Sequence, residues 1–385
     1  MTEFKKRLQQ IKKDGRYRKR TPTQSPQDIY IKVNKKNFIN FSSNNYLNLA
    51  NSSYLKKQLK NHLDNYGIGS AASPLISGYS EAHLKLEKRI SQLLNFPSTL
   101  VTNSGYLANV GLINAISEKD IDVFQDKENH NSIIESCRLS NTKLIRYRHL
   151  DYEDLEKKIL HSKSKNKIIF ADSVFSMTGE ASDLKKISAL AHQHKCLLFI
   201  DDAHGFGVSR RDKRLFPSSL NGINKNELKI DAYIGTFGKA VGTFGAFICG
   251  STDLIDLLVQ KSKPYIYSTS LPPALVNTTL DSINYIMKNR SLSKKLENNI
   301  IFYRDLANKN NIRINNSDSP IQTIHVGDPK KVMCLYRKAL RANIYIQPIR
   351  YPTVPIKKDL LRINLTSDHS KKQIQSLIEF LKQIR

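Results

Sequence analysis

An α/β fold with a mostly parallel sheet flanked by helices is predicted by two features of this 385-residue chain. Between residues 98 and 235, short apolar runs alternate with segments of helical period. Such alternation marks parallel strands joined through helices, with both faces of the sheet covered. Beyond residue 310 the order changes to strands near 321–326, 343–347 and 360–365, with helices near 329–341 and 370–384. That pattern predicts a smaller α+β C-terminal domain. The expected division is an N-terminal helix and hairpin arm (1–50), a large domain (51–272) and a small domain (273–385).

Residues 3–20 read as a basic helix with Phe4, Leu8 and Ile11 on one side, ended by Pro22 and Pro26. Residues 28–33 and 37–41 alternate apolar and polar around Asn34-Lys35-Lys36, the pattern of a hairpin. A helix over 53–66 stops at Gly67, and 67–80 is too rich in small residues to form an element. An amphipathic helix follows at 81–94. The alternating region then predicts strands at 98–102, 121–125, 143–147, 167–172, 196–200 and 230–235. Its helices are expected at 105–117, 131–139, 151–161 and 183–194, and further helices at 251–262 and 273–308.

Ligands in such sheets sit beyond the carboxyl ends of the strands. Lys239 lies in Thr236-Phe237-Gly238-Lys239, between the apolar runs 230–235 and 245–249. A lysine in a low-dielectric site tends to lose its proton, and the free amine is a nucleophile toward an aldehyde or ketone. Gly238 and Gly242 would let the backbone approach a bulky ligand. The bland alternative is a strand-end lysine that snorkels to water, one of 61 Lys and Arg.

Other segments open on the same edge. Strand 196–200 runs into Asp201-Asp202-Ala203-His204-Gly205-Phe206-Gly207. A buried carboxylate can keep a pyridine nitrogen protonated, and a protonated ring withdraws electrons from an attached carbanion. The alternative is an N-cap aspartate and a satisfied histidine. Asn103-Ser104-Gly105-Tyr106 precedes a helix whose first amides could hold a phosphate, or Ser104 is an ordinary cap. Ser176 follows strand 167–172, and His130, which could stack on a flat ring, follows strand 121–125. Ser268 and Thr269 offer hydroxyls before Pro272-Pro273, and Arg362 sits in a strand pattern where a carboxylate partner is expected.

Composition bounds the rest. The formal charge of +27 raises nucleic acid as a partner, but the cations are dispersed and neither zinc-finger spacing nor an RNP-like aromatic motif is present. Nucleic acid is therefore not expected; an acidic protein or anionic substrate is. Four separated cysteines without CxxC pairing predict reduced thiols, a cytoplasmic location and no metal site. No apolar run is long enough for a bilayer, and the basic N-terminus predicts no secretory signal.

VFSMTGE, DDAHGFGV, TFGK, IYSTSLPPA and IRYPTVP, in this order, resemble the α-oxoamine synthase family of pyridoxal-phosphate enzymes. FSSNNYLNLA and YGIGSAAS followed by ISGYS extend the resemblance from about residue 12 to the C-terminus. It implies the type I pyridoxal-phosphate transferase fold and a homodimer with its site at the interface. It also implies that Lys239 carries pyridoxal 5'-phosphate, Asp201 pairs with the ring nitrogen, and His204 contacts the ring hydroxyl. Ser176 would lie beside the ring and His130 stack on it, with Ser104, Gly105, Tyr106 and Thr236 at the phosphate side. Ser268 and Thr269 would reach the phosphate of the other subunit. Arg18, His130, Thr353 and Arg362 match substrate-contacting positions, Arg362 taking the amino-acid carboxylate. The implied reaction joins L-alanine to a pimeloyl thioester carried by coenzyme A or an acyl carrier protein, with members using glycine or serine as alternatives. A polyanion-binding protein on a non-catalytic scaffold is the alternative of another class. Three places depart from the family pattern: Lys357 and Leu360 stand where Gly-x-x-Arg is common, Ala181-Ser182-Asp183-Leu184 replaces an Ala-Pro-Leu stretch, and Phe206 replaces a small residue or Thr.

Overall fold

The computed structural model describes residues 2–14, 16–117, 120–208, 216–220 and 228–384. The described chain divides into two compact units. One holds Ser52–Ser176 and Ala181–Ser293; the other holds the chain up to Asn51, Met177–Glu180, and the chain from Lys294 onward. The segments 1–50, 51–272 and 273–385 thus stand as a proposal about folding domains, and the contacts group the residues differently. Strands are numbered in chain order: β1 (Tyr30–Val33), β2 (Lys36–Asn40), β3 (Ser98–Thr102), β4 (Ile121–Asp126), β5 (Lys143–Tyr147), β6 (Asn166–Asp172) and β7 (Leu197–Asp201). They continue as β8 (Ala232–Thr236), β9 (Ala246–Gly250), β10 (Ile321–His325), β11 (Ile344–Tyr345), β12 (Gln347–Ile349) and β13 (Leu360–Asn364).

The unit built on Ser52–Ser176 and Ala181–Ser293 is a seven-stranded sheet in the order β3-β9-β8-β7-β6-β4-β5. Neighbours from β5 through β8 are parallel, and β9 runs antiparallel to both β8 and β3. The reason is connection length. The helices Asn131–Leu139, Tyr152–His161 and Leu184–Gln193 supply the crossovers that parallel strands need. The short link from Thr236 to Ala246 allows only a hairpin. β4 and β9 are buried at every position, as strands covered on both faces must be. Phe170, Phe199 and Ile248 share the core with Leu112 of the helix Gly105–Ile116.

The other unit carries two three-stranded sheets, β1-β2-β11 and β10-β13-β12. The helices Glu3–Lys13, Pro329–Arg341 and Lys371–Gln383 belong to it, with most of Ser291–Lys309. Phe41 stacks on His369 at 4.3 Å, and burial lowers the His369 pKa to about 4. Among the described residues no helix is long and apolar enough to cross a membrane, and no cluster of ligands could hold a metal.

Several elements differ from expectation. The first helix ends at Lys13, not near residue 20; Arg16 lies over the Tyr351 ring and Arg18 bonds Thr353, which draws this cationic run out of a helix. The helix expected over 273–308 is two, Pro273–Lys288 and Ser291–Lys309. At the break, both the backbone N–H and the side-chain Nδ2 of Asn289 donate to Tyr285 O, at 2.9 Å each. The strand expected over 343–347 is divided, because Ile344–Tyr345 pairs with β2 and Gln347–Ile349 with β13. Within 67–80, Pro74–Gly78 forms one π-helical turn. Gly78 is needed there, since a Cβ would sit 2.2 Å from Ala72 O.

Candidate active site

The carboxyl ends of β4, β6, β7 and β8 share one edge of the sheet, and a cavity of about 170 Å³ opens beyond them. Register places Asp172 of β6 beside Asp201 of β7, and Asp201 beside Ile234 of β8. Strand β7 begins and ends one residue later than expected, so Asp201 is its last residue, not the first of the loop. Consecutive strand residues face opposite ways. Asp202 accordingly turns into the core, where it accepts bonds from Ser173 Oγ, Tyr233 OH and the Ser219 N–H. Burial raises the Asp202 pKa, against the pull of these donors. Asp201 lines the cavity. Its Oδ1 accepts the Ala203 N–H at 3.0 Å and its Oδ2 accepts Asn109 Nδ2 at 2.8 Å.

Lys239 stands in the loop between β8 and β9, half-buried, and lines the same cavity. Thr236 Oγ1 ties the loop's two ends by donating to Gly245 O at 3.0 Å. Gly242 has φ +74° and its N–H meets Lys239 O at 3.1 Å, so this glycine serves a turn in the loop that carries Lys239. His130 precedes the helix Asn131–Leu139, its backbone N–H held by Asp172 Oδ2 at 2.9 Å. Desolvation lowers the His130 pKa; Lys239 adds to this, and Asp201 opposes it. Tyr106 meets the His130 ring edge-on at 6.5 Å. Asp172 is buried, and desolvation followed by the charge of Asp201 raises its pKa well above the ordinary carboxyl value.

Most of the chain enters the comparison with known proteins. The sequence model of the family "Aminotransferase class I and II" matches residues 36–381. The chain belongs to that family. It is 35% identical over 385 residues to the 8-amino-7-oxononanoate synthase of Saccharophagus degradans, covering 100% of this chain and 96% of the relative. To the protein of the same name from Methylococcus capsulatus it is 34% identical over 374 residues, 97% of this chain and 96% of the relative. Among solved structures, the 8-amino-7-oxononanoate synthase of Francisella tularensis is similar at 27% identity and TM-score 0.76, covering 90% of this chain and 97% of that one. The serine palmitoyltransferase of Sphingomonas wittichii shares the fold at TM-score 0.91 and 24% identity, over 99% of this chain and 96% of that one.

The family's pyridoxal-phosphate transferase fold is therefore the fold of this chain, and pyridoxal phosphate its cofactor. The residues present fit that group. The cavity is lined by the amine of Lys239, the carboxylate of Asp201 at the end of β7, the imidazoles of His130 and His204, and Gly105 and Tyr106 at the start of a helix. At that start Gly105 has open space beside it, and first-turn amides have no partner within a helix. One buried polar atom at the cavity, Asp172 Oδ1, lacks a hydrogen-bond partner.

Eight of the expected residues line this cavity: Gly105, Tyr106, His130, Ser176, Asp201, His204, Thr236 and Lys239. Ser104 does not; its Oγ caps the helix by accepting the Leu107 N–H at 3.3 Å, the bland alternative. Ser268 and Thr269 lie in the same unit but outside the cavity, where Thr269 O accepts Asn103 Nδ2 at 2.9 Å. Arg18, Thr353 and Arg362 belong to the other unit. There Arg18 Nη2 donates to Thr353 Oγ1 at 3.1 Å, and buried Arg362 donates twice to Asn44 Oδ1 at 3.2 Å. Sequence reasoning placed the segment from Asp172 at this edge but gave Asp172 no role, and it missed Asn109. The signal for Asp172 was its place at the end of an apolar strand, like Asp201. For Asn109 it was a single amide inside the first turns of a helix otherwise apolar there.

The departures from the family pattern also find places. Phe206 is a packing residue, 4.6 Å from Phe216 and 4.8 Å from Phe247. Asp183 caps the helix Leu184–Gln193 through the Lys186 N–H. Lys357, where the family often has glycine, adopts φ +67°.

Proposed function

We propose that this chain condenses L-alanine with a pimeloyl thioester to give 8-amino-7-oxononanoate, CO2 and a free thiol. The observation that carries the reading is full-length similarity to synthases of that name, joined to a cavity that holds Lys239, Asp201, His130 and His204 together. Bound pyridoxal phosphate supplies an electron sink for the carbanion formed at the amino-acid α-carbon. Everything else falls to the chain's own groups. Lys239, whose side chain lines the cavity, would hold the cofactor and would be the base that takes the α-proton and returns one. Asp201, oriented by Ala203 and Asn109, holds a proton on the ring nitrogen. His204 and Ser176 also line the cavity, where His204 would bond the ring hydroxyl and Ser176 would lie beside the ring. The amides at Gly105 and Tyr106, with Thr236, hold the phosphate. His130, which lines the cavity, would lie against the ring and would donate to the thioester carbonyl, where charge develops in the condensation. Arg362 takes the alanine carboxylate, and Arg18 and Thr353 the acyl substrate. Ser268 and Thr269, outside their own cavity, reach the phosphate in the partner subunit of a homodimer.

Product identification by mass tests the reading. Holoenzyme mixed with L-alanine and pimeloyl thioester should yield 8-amino-7-oxononanoate, CO2 and thiol. Product only with glycine or serine would assign the chain to another reaction of this chemistry. Tight nucleic-acid binding at physiological salt, with no product from any amino acid, would favour the polyanion-binding alternative.

A further inference from the structure

The hydrogen bonds behind the cavity have a single consistent direction. A carboxylate oxygen accepts, so the Asn109 atom 2.8 Å from Asp201 Oδ2 is the amide nitrogen. The same Nδ2 lies 2.8 Å from Ser132 Oγ, which engages both of its protons. Ser132 Oγ therefore accepts from Asn109 and has its own proton to donate. Its neighbour at 2.8 Å is His130 Nδ1. The Ser132 backbone N–H approaches the same nitrogen at 3.4 Å. Two donors converge on Nδ1, which must be an acceptor, so a neutral imidazole carries its proton on Nε2.

We infer that Asn109 is a positioning residue which, through Ser132, fixes His130 in the Nε2–H tautomer. His130 thus presents the cavity with a hydrogen-bond donor and not with a base. This deepens the proposed function and rests on it for the role of His130 toward the thioester carbonyl. Burial strengthens the case. Asn109 and Ser132 are fully buried, and Asn109 Oδ1 has no hydrogen-bond partner. An orphaned acceptor in the core costs stability. A residue serving packing alone would be apolar here, as Ala108 and Leu112 on the same helix are. What asparagine adds is a double donor, one proton for Asp201 and one for Ser132. Lys239, Asp201, Asp172 and Tyr106 face His130; desolvation lowers its pKa, with Lys239 acting in the same direction and Asp201 against it, which favours the neutral ring.

The test is nitrogen NMR on holoenzyme labelled with ¹⁵N-histidine, the His130 signals assigned by their loss in His130→Gln. In the wild type at neutral pH, Nδ1 should show the shift of an unprotonated nitrogen and Nε2 that of a protonated one. Ser132→Ala should move both shifts toward the average of mixed tautomers. It should also lower kcat about tenfold, the loss of one hydrogen bond, with KM for L-alanine nearly unchanged. A protonated Nδ1 in the wild type would overturn the inference, and so would Ser132→Ala with unaltered shifts. The nitrogen shifts need no thioester. They therefore stand or fall separately from the product analysis.

Discussion

Asp201 and Asp202 are neighbours in sequence and opposites in role, and the alternation of a strand is the whole reason. Asp201 faces the cavity, while Asp202 anchors Tyr233, Ser173 and Ser219 within the core. The pair was legible as a site in the sequence. Which carboxylate faced the ligand was legible only through the motif's resemblance, because the strand's end was misplaced by one residue. Asn109 was illegible for a different reason: an amide on an apolar helix reads equally as a satisfied core residue until its partners are seen. Lys357 is a residue-scale departure with a measurable consequence. A non-glycine residue in the left-handed region costs about 1–2 kcal/mol, partly offset by the greater freedom of glycine in the unfolded chain. Its side chain is exposed. Lys357→Gly should stabilise the fold by about 1 kcal/mol, read as a higher urea midpoint at unchanged slope; a lower midpoint would show that the lysine makes a compensating contact.

At the scale of elements, β6, β7 and β8 were legible because each is mostly a short apolar run buried in the sheet, and their bounds shifted by only one or two residues. The division of 343–347 was not, since it depends on which partner each half pairs with, and local pattern carries no record of that. The helix Glu81–Leu94 shows a similar dependence on surroundings. Its Glu87 is buried, accepts Tyr79 OH at 2.6 Å and the Val101 N–H at 2.9 Å, and has its pKa raised to about 7 by burial. A carboxyl raised in the folded state binds protons more tightly there than in the unfolded chain. Its contribution is thus full below the unfolded value near 4.5 and is lost as pH rises through about 7. His83 on the same helix acts in the other sense. Burial lowers its pKa to about 4, so its contribution is full above 6.5 and is lost as pH falls through about 4. The two offset each other in the wild type. Glu87→Gln isolates one of them: the stability of wild type relative to this variant should fall by about 3 kcal/mol between pH 4.5 and 7. A difference independent of pH over that range would mean that Glu87 is already ionised when buried.

On the scale of the molecule, the +27 charge has no counterpart in the cavity's chemistry. It does have a local focus. Arg16, Arg18, Lys19 and Arg20 form an exposed run, with Arg16 and Arg18 laid against Tyr351 and Thr353. An acidic acyl carrier protein would be steered toward such a surface, and steering weakens with salt. Turnover on the carrier-protein thioester should therefore fall as salt rises, while turnover on the coenzyme A thioester changes less. Equal use of both, without salt effect, would remove carrier steering from the account.

The proposed chemistry requires that the amine at Lys239 and the carboxylate at Asp201 bracket one cofactor. Borohydride reduction of the holoenzyme, followed by digestion and peptide mass analysis, reads this directly. The account predicts the phosphopyridoxyl group on Lys239 and on no other lysine. Its appearance elsewhere, or its absence from a protein that still turns over alanine and thioester, would contradict the account.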